Sequence, residues 1–149
     1  MLKKLLLLFA FLPMMASAQV VGEVCGAKFG SSYQKVVMTL KQVLGKTEES
    51  FYHPDKIMYF GKVFEGMPFD CLMFNFVGTD SNRQFNEAHF FVSYKTESEV
   101  REARAKLMES LGKTFKIEKV TDPEGYVDYC GGVSPVNSKE YGFHISIAA

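Results

Sequence analysis

From Ser31 or Ser32 onward, Tyr33, Val36, Val37, Leu40, Val43 and Leu44 recur at three- and four-residue steps, and Gly45 follows as a C-terminal cap. The spacing predicts an amphipathic helix with one buried stripe. Three strand-like runs come next, at about 56–64, 68–77 and 85–94, joined by the tight Glu65-Gly66-Met67 connection and by the turn-rich stretch 78–84. They read as an antiparallel meander. Thr96 and Glu99 then form a capping-box pair, and Val100, Ala103, Leu107 and Leu111 mark a second amphipathic helix that closes at Gly112. Strand-like runs return at about 114–120, 126–130 and 141–147, with Asp122-Pro123-Glu124-Gly125 as the first turn and 131–139 as a longer loop.

One helix followed by three strands thus occurs twice, at about 26–94 and 95–149. Leu44-Gly45-Lys46-Thr47 ends the first helix and Leu111-Gly112-Lys113-Thr114 ends the second. The expected architecture is α+β: two tandem helix-plus-three-strand units, with an antiparallel sheet and both helices packed on one of its faces. In the third run Ala88, Phe90, Val92 and Tyr94 alternate with Glu87, His89, Phe91 and Ser93, the pattern of a half-buried strand. In the second run both parities are apolar, Phe69, Cys71 and Met73 on one and Leu72, Phe74 and Phe76 on the other. Apolar faces are more often core than site, and a curved sheet shielded on its far side by the N-terminal segment or by loops accounts for this pattern; the sharper reading is an exposed aromatic patch, with Tyr59, Phe74, Phe76 and Phe91 as candidate contact residues on an uncovered face.

The N-terminus has a different pattern. Lys3 and Lys4 give a short positive start, Leu5 to Leu12 are apolar without a break, and Ala16-Ser17-Ala18 places small residues where a signal peptidase cuts. Residues 1–18 therefore read as a cleavable signal peptide; the apolar run is shorter than the roughly 20 residues of a bilayer span and is followed by Pro13. Removing 18 of the 149 residues leaves 131, the size of one domain with one core. The expected location is the periplasm or the exterior.

The 17 basic and 17 acidic residues balance, with no basic cluster of the kind that binds nucleic acid or an anionic membrane. Of the cysteines, Cys25 and Cys130 lie beside glycines while Cys71 lies in an apolar run. In an oxidising compartment this favours a Cys25–Cys130 disulfide with Cys71 buried, although spacing alone leaves the pairing open.

Candidate chemistry is sparse. Gly45-Lys46-Thr47 and Gly112-Lys113-Thr114 end helices rather than precede them, and Leu40 and Leu107 stand where a phosphate-binding loop needs glycine. His53, His89 and His144 lack metal-ligand spacing, and no cofactor is called for. Asp70 precedes Cys71 by one residue and Asp128 precedes Cys130 by two, without the spacing of an acid pair, and no nucleophile elbow is present. A cysteine nucleophile, Cys71 or whichever thiol is unpaired, is the weakest of the functional classes considered.

The run Gly26-Ala27-Lys28-Phe29-Gly30-Ser31-Ser32-Tyr33, the helix ending Leu-Gly and the segment Val63-Phe64-Glu65-Gly66-Met67-Pro68-Phe69 before an aromatic meander resemble small exported bacterial domains of the beta-lactamase-inhibitor-protein type, and the outer-membrane assembly lipoproteins of similar fold. Unlike those lipoproteins, the chain has no cysteine at the cleavage point. The resemblance implies a domain without a catalytic site that holds another envelope or extracellular protein on a sheet face or its loops. The expectation is thus a non-catalytic exported protein-binding module. A carrier of a small apolar ligand is the alternative that the same aromatic strands allow.

Overall fold

The computed structural model describes residues 2–9, 12–13, 19–46, 51–53 and 55–148. In chain order the elements are β1 (Lys3–Phe9), β2 (Leu12–Pro13), β3 (Glu23–Val24), β4 (Ala27–Lys28), α1 (Tyr33–Leu44), β5 (Phe51–His53), β6 (Lys56–Phe64), β7 (Met67–Val77), β8 (Gln84–Tyr94), α2 (Glu97–Gly112), β9 (Ile117–Thr121), β10 (Val127–Val133) and β11 (Glu140–Ala148). The fold is α+β, and the main sheet runs β5-β6-β7-β8-β1-β11-β10-β9, with β2 pairing at the end of β11. Every ladder among these described strands is antiparallel.

Local chemistry sets the element ends. Ser32 caps α1 by accepting from the Lys35 N–H. At α2 the Thr96 hydroxyl accepts from the Glu99 N–H at 3.2 Å, while the Glu99 carboxylate accepts from the Thr96 N–H at 2.9 Å. Glu65 and Gly66 both have positive φ, 51° and 74°, so Phe64 and Met67 are joined by the two-residue turn that matches strand twist. The Asp122 carboxylate accepts from the Glu124 and Tyr126 N–H groups, which shapes the turn into β10.

Both helices pack on the same face of the sheet. Val36 and Leu40 of α1 and Val100, Ala103, Leu107 and Leu111 of α2 share one cluster with Ile57, Tyr59, Leu72, Phe74, Phe90 and Ile145. Aromatic rings fill its centre, where Phe90 lies 5.0 to 5.9 Å from the rings of Phe9, Phe64, Phe69 and Phe74. Gly131 makes room for Phe143: a Cβ there would lie 2.6 Å from the Phe143 ring and 2.9 Å from the Lys116 carbonyl oxygen.

The main departure from expectation is β1. Residues read as a signal peptide occupy the middle of the sheet, between β8 and β11, with Leu5, Leu7 and Phe9 at most 3 % exposed. A short apolar run suits a strand covered on its faces as well as it suits a targeting segment, and periodicity cannot separate the two. Burying three such side chains contributes on the order of 5–8 kcal/mol, a large share of the stability of a domain of this size. No helix of the described residues is long and apolar enough to cross a membrane.

Candidate functional site

Among the described residues, no helix lies on the face opposite α1 and α2. Cross-strand pairing sets a row of side chains on it: Met58 beside Met73, Met73 beside His89, His89 beside Leu8, Leu8 beside His144, His144 beside Cys130, and Cys130 beside Glu118. A second row pairs Phe60 with Cys71, Cys71 with Phe91, Phe91 with Leu6, and Leu6 with Ser146. Met58, Phe60, Met73, Phe91, Leu6 and Leu8 are all half-buried. The face is an apolar strip partly open to solvent. Among its polar members, Asn75 Nδ2 donates to Glu87 Oε1 at 3.2 Å, and His89 Nε2 lies 3.2 Å from the same oxygen without hydrogen-bond geometry.

Of the four predicted contact residues, the structure places only Phe91 on this strip. Tyr59 and Phe74 are fully buried on the helix side, and Phe76 is 8 % exposed against Tyr33 and Phe85. Those three belong to the core and are withdrawn as contact residues. The cause lies in β7, where Leu72, Phe74 and Phe76 face the helices and the neighbouring Met73 faces away. Two apolar parities left the sequence without a way to say which one the helices cover.

The expected Cys25–Cys130 disulfide is corrected too, since all three cysteines are free thiols. Cys25 sits in the two-residue β3–β4 turn with φ of 51°, whereas Cys130 is fully buried in the middle of β10. These positions are not close. Burial pushes the Cys25 and Cys130 thiols up to about 12 and Cys71 up to about 11, helped by Glu65, by Asp128 with Glu118, and by Asp70 respectively. At neutral pH each is a protonated thiol rather than a nucleophilic thiolate.

Register also creates a cluster that chain distance hides. Cys130 Sγ lies 3.8 Å from His144 Nδ1, and Asp128 Oδ2 lies 3.5 Å from the same nitrogen. Nearby, the Tyr141 hydroxyl donates to Glu118 at 2.7 Å. A thiol–imidazole–acid relay needs the thiol and the acid on opposite ring nitrogens. Here both address Nδ1, and the buried Nε2 has no hydrogen-bond partner among the described residues. Burial holds the His144 pKa below its ordinary value against the opposing pull of Asp128. As placed, the cluster is a buried polar contact on the sheet. The other histidines are dispersed: His53 is on β5 and His89 on β8. Among the described residues no group of three His, Cys, Asp or Glu side chains is arranged to hold a metal ion.

A cleft of about 370 Å³ opens beside the start of α1, lined by Ser32, Tyr33, Gln34, His53, Asp80, Ser81 and Arg83. No protein-family model, curated protein or solved structure matches the chain.

Proposed function

We propose that the chain is exported with residues 1–18 as its signal peptide, and that the remainder is a non-catalytic protein-binding module of the bacterial cell envelope, periplasmic or secreted. The observation that carries this reading is the helix-free sheet face, on which Met58, Phe60, Met73 and Phe91 are only partly buried in two adjoining cross-strand rows. Contiguous apolar surface that no described helix covers is a mark of protein association. Phe91 is the residue assigned to the centre of the contact. The finer reading of two tandem helix-plus-three-strand units, resembling the inhibitor-type exported domains, belongs to the same proposal. In it each half contributes one wall of the sheet, β6 to β8 on one side and β9 to β11 on the other.

The test is affinity capture of the exported, C-terminally tagged protein after in-cell crosslinking, compared with Phe91→Ala. The proposal expects one envelope protein in near-stoichiometric amount from the parent and at least tenfold less from the variant, with the fold intact by circular dichroism. Undiminished capture by the variant would remove Phe91 from the interface. Native mass spectrometry showing a co-purifying small apolar molecule in place of a protein would replace this reading with the ligand-carrier alternative.

A further inference from the structure

The strand with signal-peptide character is also the strand that joins the two halves of the sheet. β1 pairs with β8 from Lys3 opposite Tyr94 to Phe9 opposite Ala88, and with β11 from Lys4 opposite Ala148 to Leu8 opposite His144. On the helix side its Leu5, Leu7 and Phe9 are buried, and the Phe9 ring sits 5.9, 5.5 and 6.1 Å from Phe64, Phe90 and Phe143. On the other side Leu6 and Leu8 lie in the open strip. Losing this segment would leave two rows of backbone N–H and C=O groups without partners and an apolar trench beneath α2, which packs against β8, β1 and β9.

Contacts that do not involve β1 hold both walls. The Ser93 N–H of β8 donates to Asp70 of β7 at 2.8 Å, and Arg104 of α2 stacks 4.7 Å over the Tyr129 ring of β10. Past the cleavage point the chain is fastened to the β10 end of the sheet, where Val21 N–H donates to Val133 and Val133 N–H to Gln19, both at 2.8 Å. The new N-terminus is thereby kept at β10. β8 and β11 each run antiparallel to β1 and hence parallel to one another, so closing the gap would require a new parallel ladder across a trench spanned by α2.

We propose that removal of residues 1–18 turns the place of β1 into a strand-acceptor slot, and that the partner enters it as an extended segment. This deepens the exported-module reading and rests on it. The guest runs antiparallel to both walls and spans about the seven residues of β1. It carries large apolar side chains at alternate positions, with an aromatic one at the last inward position to meet Phe64, Phe90 and Phe143. Main-chain hydrogen bonds to two strands supply affinity, and the inward pockets supply selection, as in other modes of β-strand addition. The β1 segment of the precursor is the stand-in that displays this chemistry.

The experiment starts from the full chain expressed in an exporting bacterial host and its intact mass. Retention of residues 1–18 on the exported protein would refute the processing step, which belongs to the underlying reading. On the processed chain, amide hydrogen exchange is followed over 84–94 and 140–148, with and without a synthetic Lys3–Phe9 peptide bearing a solubilising lysine tail. The slot predicts that these amides exchange at least tenfold faster than those of β7 in the processed chain alone. Adding the peptide slows them at least tenfold, and a Leu7→Glu peptide does not. Full chain kept uncleaved by Ala18→Arg shows the slow rates without peptide. A processed chain that is unfolded alone and folds on adding the peptide supports the slot equally. Walls already protected in the processed chain, or a chain that stays unfolded with the peptide, overturn it; so does a strand-exchanged dimer of the processed chain in native mass spectrometry.

Discussion

Phe90 and Phe91 are neighbours on β8 and live in different solvents. Phe90 is fully buried on the helix side, ringed by four other phenylalanines, while Phe91 is partly exposed on the face where no described helix lies, between Cys71 and Leu6. The period of two along a strand makes this difference, so residue type alone says nothing about role. On one face aromatic residues hold the domain together. On the other they are free to hold something else. Substitutions that separate stability from binding are the natural way to test that division.

In the full chain, with β1 in place, Phe90→Ala should produce the largest loss of stability, about 3–5 kcal/mol in equilibrium denaturation, because it empties the centre of the aromatic cluster. Gly131→Ala should follow at about 1–3 kcal/mol, since the added Cβ would meet the Phe143 ring and the Lys116 carbonyl. Thr96→Ala should cost about 1 kcal/mol by removing the side-chain half of the α2 capping box. Phe91→Ala should change stability by less than about 1 kcal/mol, as expected of a partly exposed position, and should still abolish capture of the partner. A loss of several kcal/mol at Phe91, or full stability in Phe90→Ala, would break the contrast between the two faces.

Stability should also depend on pH at both ends. His144 is held below its ordinary value of 6.5 by burial, so as pH falls below about 6.5 the unfolded chain takes up a proton that the folded chain resists, and stability drops. The thiols are raised in the fold from 9.0 to about 11 for Cys71 and about 12 for Cys25 and Cys130. Above pH 9 the unfolded chain releases protons that the folded chain keeps, and stability falls again. Urea midpoints measured from pH 5 to pH 10.5 check both limbs; His144→Gln should flatten the acid limb and leave the alkaline one.

Much of the fold was legible in the sequence because its signals are local. Both helices, their Ser32 and Thr96 caps, and the strands at 56–64, 67–77 and 84–94 follow from apolar spacing and turn residues. β9 to β11 were placed to within a few residues. The rest depended on non-local pairing. Leu5 to Phe9 carry the same apolar run whether they target the chain or fill a sheet, and only β8 and β11 reveal the second possibility. Tyr59, Phe74 and Phe76 looked like surface candidates because aromatic richness does not indicate a direction. The Cys130–His144 contact joins residues 14 apart that meet only through the β10–β11 register. Cys25 and Cys130 both sit beside glycine, yet one lies at a turn and the other in the middle of a strand.

The central claim is that the helix-free face is where another protein binds. A photo-crosslinking amino acid placed at Phe91 and, separately, at Met38, an exposed position on α1, tests it most directly in the protein expressed inside cells. The account predicts a discrete adduct of one defined mass from position 91 and none from position 38. Adducts from position 38 alone, or no adduct from position 91 when position 38 gives one, would contradict it.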